Sequence, residues 1–313
     1  MNQSFLPMSP SFPEVAAAWK ADKRQWVKPS TYAIYVRLLN LYILPSFGGE
    51  RPQNAGAVQT FADSLLERGL SVKTVRDTLL VLKMILRHGA DAGAWPLLES
   101  KVHYPPTGKR TPTILSRPQQ RMLMDYLQSH FSFQNLGILI CLHSGLRIGE
   151  VCALQWRDID VSAREIHITK TVQRICITDG STHEYYLSVD RPKTPTSIRD
   201  IPISRELNTL LKPLRRIMQP EDYVVSNTRK PLEPRYLRDH YHQVLDSLGL
   251  PRLRFHALRH SFATRCIESK CDYKTVSVLL GHASIATTMD LYVHPGADEK
   301  KKAVEQMLRR LGR

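Results

Sequence analysis

The sequence has few cysteines and no long apolar run. Its 5 cysteines among 313 residues are odd in number and scattered, which argues against a disulfide framework and favours reduced thiols. The longest apolar stretches fall far short of the roughly 20 residues that span a bilayer. The first residues also lack the basic and apolar segments of a secretory signal. These absences predict a cytoplasmic protein without a membrane segment.

Acidic residues are scarce relative to basic ones. The chain has 44 Lys and Arg against 29 Asp and Glu, which gives a formal net charge of +15, and both halves are net positive. Since 42% of the residues are hydrophobic, the composition is that of a folded chain rather than a disordered basic tail. A folded, basic surface indicates a polyanionic partner such as nucleic acid.

The first hundred residues predict a bundle of four helices. Their start and stop signals are Ser11 with Glu14, Ser30, Ser71, Gly69 and Gly89. Residues 99–112 are rich in Pro, Gly, Lys and Thr, so we expect an extended, basic linker there. The sequence therefore predicts a helical domain over residues 1–98 and a second domain over residues 113–313.

The second domain is predicted to be mainly helical with a small antiparallel sheet. Ser116 begins a helix, and residues 135–156 indicate helices interrupted around Ser144 and Gly145. Short β-branched runs between residues 158 and 203 predict the strands, and helices resume from residue 205 to the end. The stretch Cys176 to Glu184 is longer than a tight hairpin needs, so it is either a DNA or neighbour contact or, as we favour, a tolerated loop.

Six residues in separated segments of the second domain suggest chemistry. They are Arg147 in SGLRIGE, Lys193 in RPKTPTSIRDIPI, His256 and Arg259 in HALRH, His282 in LLGH and Tyr292 in DLYVHP. Each one alone has an ordinary explanation as a solvated, salt-bridged or half-buried side chain. Their joint order, spacing and structural context make a common site the better explanation.

This set resembles the catalytic residues of the tyrosine recombinases, the phage and transposon integrase family. The similarity spans roughly Ser116 to Pro295, and the helical first half with its basic linker is similar to the family's core-binding domain. The resemblance implies a two-domain clamp around DNA that cuts and rejoins strands through a covalent phosphotyrosine, without metal or nucleotide. It also implies a bacterial or phage-encoded, nucleoid-associated protein.

The residue types suit phosphoryl chemistry. Arginine offers a planar, permanently charged fork for the non-bridging oxygens of a phosphodiester, which fits Arg147 and Arg259, and His282 would add a donor. Only about one phenol in a thousand is ionised at pH 7, so attack by Tyr292 needs assistance. The resemblance gives His256 a general-base or phosphate-orienting role. Lys193 would then protonate the leaving 5′ oxygen.

Glu150 comes three residues after Arg147 and so lies beside it on a helix. We expect its carboxylate to orient the guanidinium from behind, without touching the phosphate, and the alternative is an ordinary exposed helix pair.

Metal and nucleotide sites are not indicated. The sequence has no phosphate-binding GxxxxGK[ST] loop and no carboxylates paired at metal-binding spacing. His256 and His260 have the four-residue spacing of a zinc-protease helix, but Ala257 stands where that helix needs glutamate, and Arg259 would place a cation beside the metal. We therefore expect no cofactor and no metal.

The expected partner is double-stranded DNA with inverted core half-sites. Candidate contacts are Lys73 and Arg76 on the fourth helix and Arg235 and Arg238 on a later one, although a solvated face explains each equally well. The resemblance implies a homo-tetramer in the synaptic complex, a monomer when free, and an accessory DNA-bending or directionality protein as a further possible partner.

Both ends of the chain carry expectations. The basic terminal segment from Asp298 has an apolar stripe, which predicts that it packs against protein. The resemblance implies docking on the next protomer, which we favour over packing on its own domain. About a dozen residues precede the first helix, so we expect no additional domain for accessory arm sites.

Three functions remain open from the sequence. A site-specific recombinase leads, for integration, excision, inversion or resolution. A relaxing topoisomerase would use related chemistry without synapsis. A DNA-binding regulator would need no nucleophile at position 292, so the complete residue set argues against it.

Overall fold

The structure is a computed structural model that describes residues 10–106, 113–179, 182–192, 195–292, 301, 305 and 307–309. The chain divides into two units. One comprises Met1–Lys109 with Arg174–Tyr186, and the other comprises Arg110–Gln173 with Leu187–Arg313. The described residues are mainly helical with short strands, as predicted. No described helix is both long enough and apolar enough to cross a membrane.

The first unit is built on five helical segments. They are α1 (Phe12–Trp26), α2 (Pro29–Leu38), α3 (Leu44–Phe47), α4 (Ala55–Glu67) and α5 (Val72–Asp91), with a π-helical turn at Leu39–Ile43 between α2 and α3. Helix α5 packs against α1, α2 and α4. Its apolar stripe, which includes Val75, Leu79, Leu82 and Leu86, is buried at the centre of the unit.

Most of the predicted helix signals of this unit are confirmed. The Ser11 N–H donates to the Glu14 carboxylate at 2.7 Å, and Ser71 Oγ accepts from the Thr74 N–H at 3.1 Å. The second helix begins at Pro29 rather than after Ser30, because proline has the fixed φ that suits the first helical position.

The prediction that Gly89 ends a helix is wrong, because α5 continues to Asp91. A Cβ on Gly89 would lie 2.1 Å from the Trp95 ring, so this glycine makes room for the indole. The Trp95 indole N–H donates to the Leu86 carbonyl at 2.9 Å. Here close packing, not helix termination, explains the glycine.

The second unit contains eight described helices arranged around α7. They are α6 (Arg117–Ser129), α7 (Phe133–Ser144), α8 (Ile148–Ala153), α9 (Arg205–Ile217), α10 (Pro234–Ser247), α11 (His256–Glu268), α12 (Tyr273–Leu280) and α13 (Ile285–Tyr292). Helix α7 is buried along most of its length and contacts α6, α8, α10 and α11. The predicted interruption at Gly145 is confirmed, with φ +66°. Trp156, predicted to be helical, lies beyond α8 in a 3₁₀ turn.

The strands form two small sheets where the sequence predicted one. Strands β1 (Ile159–Asp160), β2 (Glu165–Ile168) and β5 (Arg199–Pro202) form an antiparallel sheet in the order β1-β2-β5. Strands β3 (Thr171–Asp179) and β4 (Thr182–Asp190) pair only with each other among the described strands.

The favoured loop over Cys176 to Glu184 is therefore wrong, since the described residues of this stretch are strand. Residues with high β-propensity, Ile175 and Ile177 on β3 and Tyr185 to Val189 on β4, extend the pair beyond a tight hairpin.

Candidate active site

Four of the six predicted catalytic side chains lie in the described part of the second unit. Arg147 is the N-cap of α8, His256 and Arg259 belong to the first turn of α11, and His282 follows the end of α12. Helix α11 packs against both α7 and α12. This packing brings together segments that are more than one hundred residues apart in sequence.

The Arg147 guanidinium is held by the Glu150 carboxylate and by a backbone carbonyl. Its Nη1 lies 2.6 Å from Glu150 Oε1, its Nη2 donates to the Gly281 carbonyl at 3.2 Å, and its backbone N–H donates to Glu150 Oε2 at 3.0 Å. The Arg147 side chain keeps 36% of its surface exposed, whereas that of Glu150 keeps 2%. The guanidinium is thus oriented from the buried side and open on the other, which is the arrangement that the orienting role predicted for Glu150 requires.

Arg259 is buried, with 2% of its surface exposed. Its Nη1 donates to the Gly145 carbonyl at 3.0 Å and its Nη2 to the Leu280 carbonyl at 2.5 Å. These carbonyls lie at the C-terminal ends of α7 and α12, where helix carbonyls lack partners within the helix and the helix dipole is negative. The two helix ends therefore fix the position of the Arg259 guanidinium.

His282 follows a left-handed glycine. Gly281 has φ +63°, and its carbonyl is the one that Arg147 contacts. The Nδ1 of His282 lies 2.8 Å from Thr288 Oγ1 on α13, and Thr288 is fully buried. Partial burial and the positive charges of Arg259 and Arg147 lower the pKa of His282 to about 4.

His256 is exposed and neighbours His260, with ring centroids 4.5 Å apart and edge to face. Partial loss of water around the ring lowers the pKa of His256 to about 4, together with repulsion from His260 when that ring is protonated and from the positive charges of Arg259 and Arg147. Without a bound anion, both His256 and His282 are consequently neutral at pH 7.

The sequence interpretation missed Arg199, which contacts this site from β5. Its Nη1 and Nη2 lie 3.2 Å and 3.0 Å from the two oxygens of Glu150. A signal was present, because strand alternation puts Arg199 on the same face as the buried Ile201. A buried arginine needs an anionic or carbonyl partner, so an arginine at a core-facing strand position points to one.

Glu150 is consequently shared between two arginines. Burial alone would raise its pKa, but the hydrogen bonds and charge of Arg199, with those of Arg147, outweigh burial and hold the pKa of Glu150 below its ordinary value. The carboxylate is therefore ionised at neutral pH.

Two predicted catalytic side chains are not placed. Lys193 lies outside the described residues. Tyr292 is the last residue of α13, a helix that packs against α11 and α12, but its side chain is also outside the description.

The four candidate DNA contacts are exposed. Lys73 Nζ lies 2.6 Å from Asp77, and the Nε atoms of Arg235 and Arg238 lie 3.6 Å and 3.9 Å from Asp239. The Arg76 guanidinium stacks over the Tyr104 ring at 4.6 Å. Exposed pairs of this kind contribute about 0–1 kcal/mol, so the arginines and the lysine can exchange these partners for phosphates.

A group of side chains with metal-ligand chemistry lies on the outer face of the β1-β2-β5 sheet. It consists of Glu165, His167 and Asp200. Among the described residues, this is the group of three whose possible ligand atoms lie close enough together to hold one metal ion. The Nδ1 of His167 lies 2.7 Å from Asp200, which raises the pKa of His167. His256 and His260, the pair weighed for zinc, are not part of it.

Comparison with known proteins covers both units. Residues 114–299 match the model of the phage integrase family, and residues 11–50 match that of the phage integrase N-terminal SAM-like domain. The chain is 29% identical over 273 residues to a tyrosine recombinase XerC-like protein of Caldanaerobacter subterraneus subsp. tengcongensis, covering 80% of this chain and 69% of that protein.

Two solved structures share the fold. The Tn1549 transposon integrase in complex with transposon right end DNA has a TM-score of 0.72 at 21% identity, over 95% of this chain and 99% of that one. A lambda integrase tetramer bound to a Holliday junction has a TM-score of 0.62 at 15% identity, over 88% and 78% of the two chains.

Proposed function

Because the chain belongs to the phage integrase family and is a site-specific DNA recombinase, we propose that it cleaves and rejoins strands through a 3′-phosphotyrosine formed by Tyr292. The observation that carries this proposal is that Arg147 and Arg259 donate to the carbonyls of Gly281 and Leu280, the two residues directly before His282. The reaction is integration, excision, inversion or resolution between specific sites.

The scissile phosphate binds between the two arginines. Arg147 offers an exposed guanidinium, and Arg259 adds a second positive charge fixed by two helix ends. Preorganised donors of this kind stabilise the developing charge by about 3 to 4 kcal/mol each, because they need no reorganisation when the charge appears. Glu150 orients Arg147 without contacting the phosphate.

The neutral histidines have separate roles. When the proton of the neutral ring is on Nε2, the Nδ1 of His282 accepts a hydrogen bond from the Thr288 hydroxyl, and Nε2 donates one to a phosphate oxygen. His256 takes the phenolic proton of Tyr292. Its pKa of about 4 reflects loss of water around the ring and, after that, the nearby His260, Arg259 and Arg147; a bound phosphate would offset the charge of the arginines and raise that pKa toward the reaction pH, where a general base is most effective.

Lys193 donates a proton to the leaving 5′ oxygen. The covalent phosphotyrosine keeps the energy of the broken phosphodiester until another 5′ hydroxyl attacks, so neither ATP nor metal is required. The positive charges of Arg147 and Arg259 supply the electrostatic stabilisation that a metal ion supplies in other phosphoryl-transfer enzymes.

DNA binding uses both units. We assign the helical domain to residues 1–98, the linker to residues 99–112 and the catalytic domain to residues 113–313. Lys73 and Arg76 of the first unit and Arg235 and Arg238 of the second unit contact phosphates of the duplex, which carries inverted core half-sites.

Two protomers on each of two duplexes form the synaptic tetramer, and free protein is monomeric. An accessory DNA-bending or directionality protein can assist.

The terminal segment links neighbouring protomers. In its described part, Met307 and Leu308 are helical and exposed, by 50% and 40%. Exposed apolar side chains on a terminal helix favour docking on the next protomer over packing within the same domain.

The test is covalent capture on nicked duplexes that carry sequence from around the protein's own gene, in EDTA and without ATP. Wild-type protein is compared with Tyr292→Phe, which lacks the attacking oxygen, and with Tyr236→Phe as the matched control, because Tyr236 is exposed by 62% on α10 of the same unit. We expect an SDS-resistant adduct with wild type and Tyr236→Phe, and binding without an adduct with Tyr292→Phe.

An adduct that persists in Tyr292→Phe would identify another nucleophile and overturn the assignment. Tight binding by wild type without any adduct would favour the regulator. Relaxation of arbitrary supercoiled DNA by the free monomer would favour the topoisomerase.

A further inference from the structure

Arg199 has no role in the reaction as described so far, yet its side chain is among the most buried charged groups of the second unit, with 4% of its surface exposed. We propose that Arg199 is a positioning residue that holds Glu150, and through it Arg147, in the geometry that binds the scissile phosphate. This inference rests on the proposed function.

The contacts of Arg199 join three separate segments. Its Nη1 and Nη2 donate to the two oxygens of Glu150 on α8, at 3.2 Å and 3.0 Å. Its Nε donates to the Leu279 carbonyl near the end of α12 at 2.7 Å, and Nη1 also donates to the Ser197 carbonyl at 3.0 Å. The guanidinium therefore ties β5 to the helix that presents Arg147 and to the helix that precedes His282.

The two-oxygen grip fixes the orientation of Glu150. A carboxylate bound on both oxygens by a planar guanidinium cannot rotate, so Oε1 stays 2.6 Å from Arg147 Nη1. Arg147 is partly exposed and would otherwise sample several rotamers. An arginine held in one rotamer loses less conformational freedom when the phosphate binds in the transition state.

Arg199 also determines the charge of the cluster. A Glu150 paired with Arg147 alone would neutralise it, whereas two arginines on one carboxylate leave a net positive charge for the phosphate. Arg147 and Arg199 face the carboxylate directly, and Cys141 and His256 also lie within electrostatic range. Without Arg199, burial of Glu150 would dominate and the carboxylate would take up a proton at higher pH.

The test is a double-mutant cycle of Arg199→Met and Glu150→Gln, with Arg199→Lys as a second variant at the same position. Arg216→Met is the matched control, since Arg216 is an exposed arginine on α9 of the same unit. DNA affinity is measured by fluorescence anisotropy. The single-turnover rate of covalent adduct formation on the nicked duplex is measured between pH 5 and 8.

We expect Arg199→Met to bind DNA as wild type does and to form adduct about 10- to 100-fold more slowly, the usual effect of removing a group that orients a ligating side chain. The deficit should grow as pH falls, because the carboxylate of Glu150 becomes protonated. Arg199→Lys should form adduct at an intermediate rate. The double variant should react only slightly more slowly than Glu150→Gln alone, because Arg199 acts through the carboxylate that Glu150→Gln has already removed.

Wild-type rates in folded Arg199→Met would overturn the inference. A loss of rate in Arg199→Met that is the same at every pH, and that multiplies with the loss in Glu150→Gln, would also overturn the inference. Such a result would show an effect on the fold rather than on Glu150. If Arg199→Met does not fold, a wild-type rate and pH profile in Arg199→Lys overturns the inference, and an intermediate rate with a stronger acid deficit supports it. Absence of adduct from wild type itself would instead overturn the proposed function.

Discussion

Gly281→Ala tests whether the turn after α12 builds the site. Gly281 has φ +63°, which an L side chain adopts only with strain, and a Cβ there would lie 3.0 Å from the Thr196 carbonyl oxygen and 3.2 Å from two atoms of Arg199. Gly249 is the matched control, with φ +62° and no atom within 4 Å of the place that a Cβ would take. The two substitutions share the backbone penalty and differ in the contact.

The expected magnitudes follow from these two terms. A left-handed non-glycine residue costs about 1–2 kcal/mol, which applies to both variants. Crowding against the Thr196 carbonyl and Arg199 adds about 1–3 kcal/mol for Gly281→Ala only. In a unit of this size, each kcal/mol lowers the melting temperature by about 2–4 °C. The carbonyl of Gly281 also shifts, and with it the hydrogen bond to Arg147.

The assays are calorimetry and single-turnover adduct formation. We expect Gly249→Ala to be moderately destabilised and to react at the wild-type rate, because Gly249 lies outside the site. Gly281→Ala should be less stable than Gly249→Ala and should react more slowly at equal DNA affinity. Equal melting temperatures with equal rates would refute the reasoning that the contacts of Gly281 support the site.

Three further predictions concern nearby residues. Arg259→Lys keeps the charge but loses the two-pronged grip on the helix ends, so we expect adduct formation to fall about 10²- to 10³-fold with DNA binding retained; an unchanged rate would contradict this. The pKa of His282 is about 4 in the folded protein and about 6.5 in the unfolded chain. As pH falls from about 6.5 to 4, the unfolded chain therefore takes up a proton that the folded protein does not, and the free energy of unfolding declines. Urea titrations should show a weaker decline in His282→Gln, and an identical pH slope would disprove the linkage. Lys270 lies just beyond the end of α11 and has φ +63°, so Lys270→Gly should relieve a left-handed strain of about 1–2 kcal/mol, partly offset by the greater freedom of the unfolded chain, and raise stability, whereas Lys274→Gly within α12 should lower it.

Local signals were predicted well. The capping pair Ser11 and Glu14, the cap at Ser71 and the break at Gly145 depend on residues a few positions apart, so their chemistry is legible in the sequence. Gly89 was misread because its reason lies in the Trp95 ring, a tertiary neighbour that occupies the space of a side chain. The separation of the strands into two sheets was missed for a similar reason, since propensity indicates strands but not their partners.

By itself, the sequence determined the family, because six candidate catalytic residues stand in one order along separated segments, and it predicted the orienting role of Glu150, because Glu150 lies three residues after Arg147. The tertiary structure decided what surrounds them. Arg199 and Glu150 are 49 positions apart, and Arg259 reaches a carbonyl 114 positions away. Such contacts form only when helices and strands pack, since the loss of water around a buried charge makes a partner necessary and the packed backbone determines which partner is within reach.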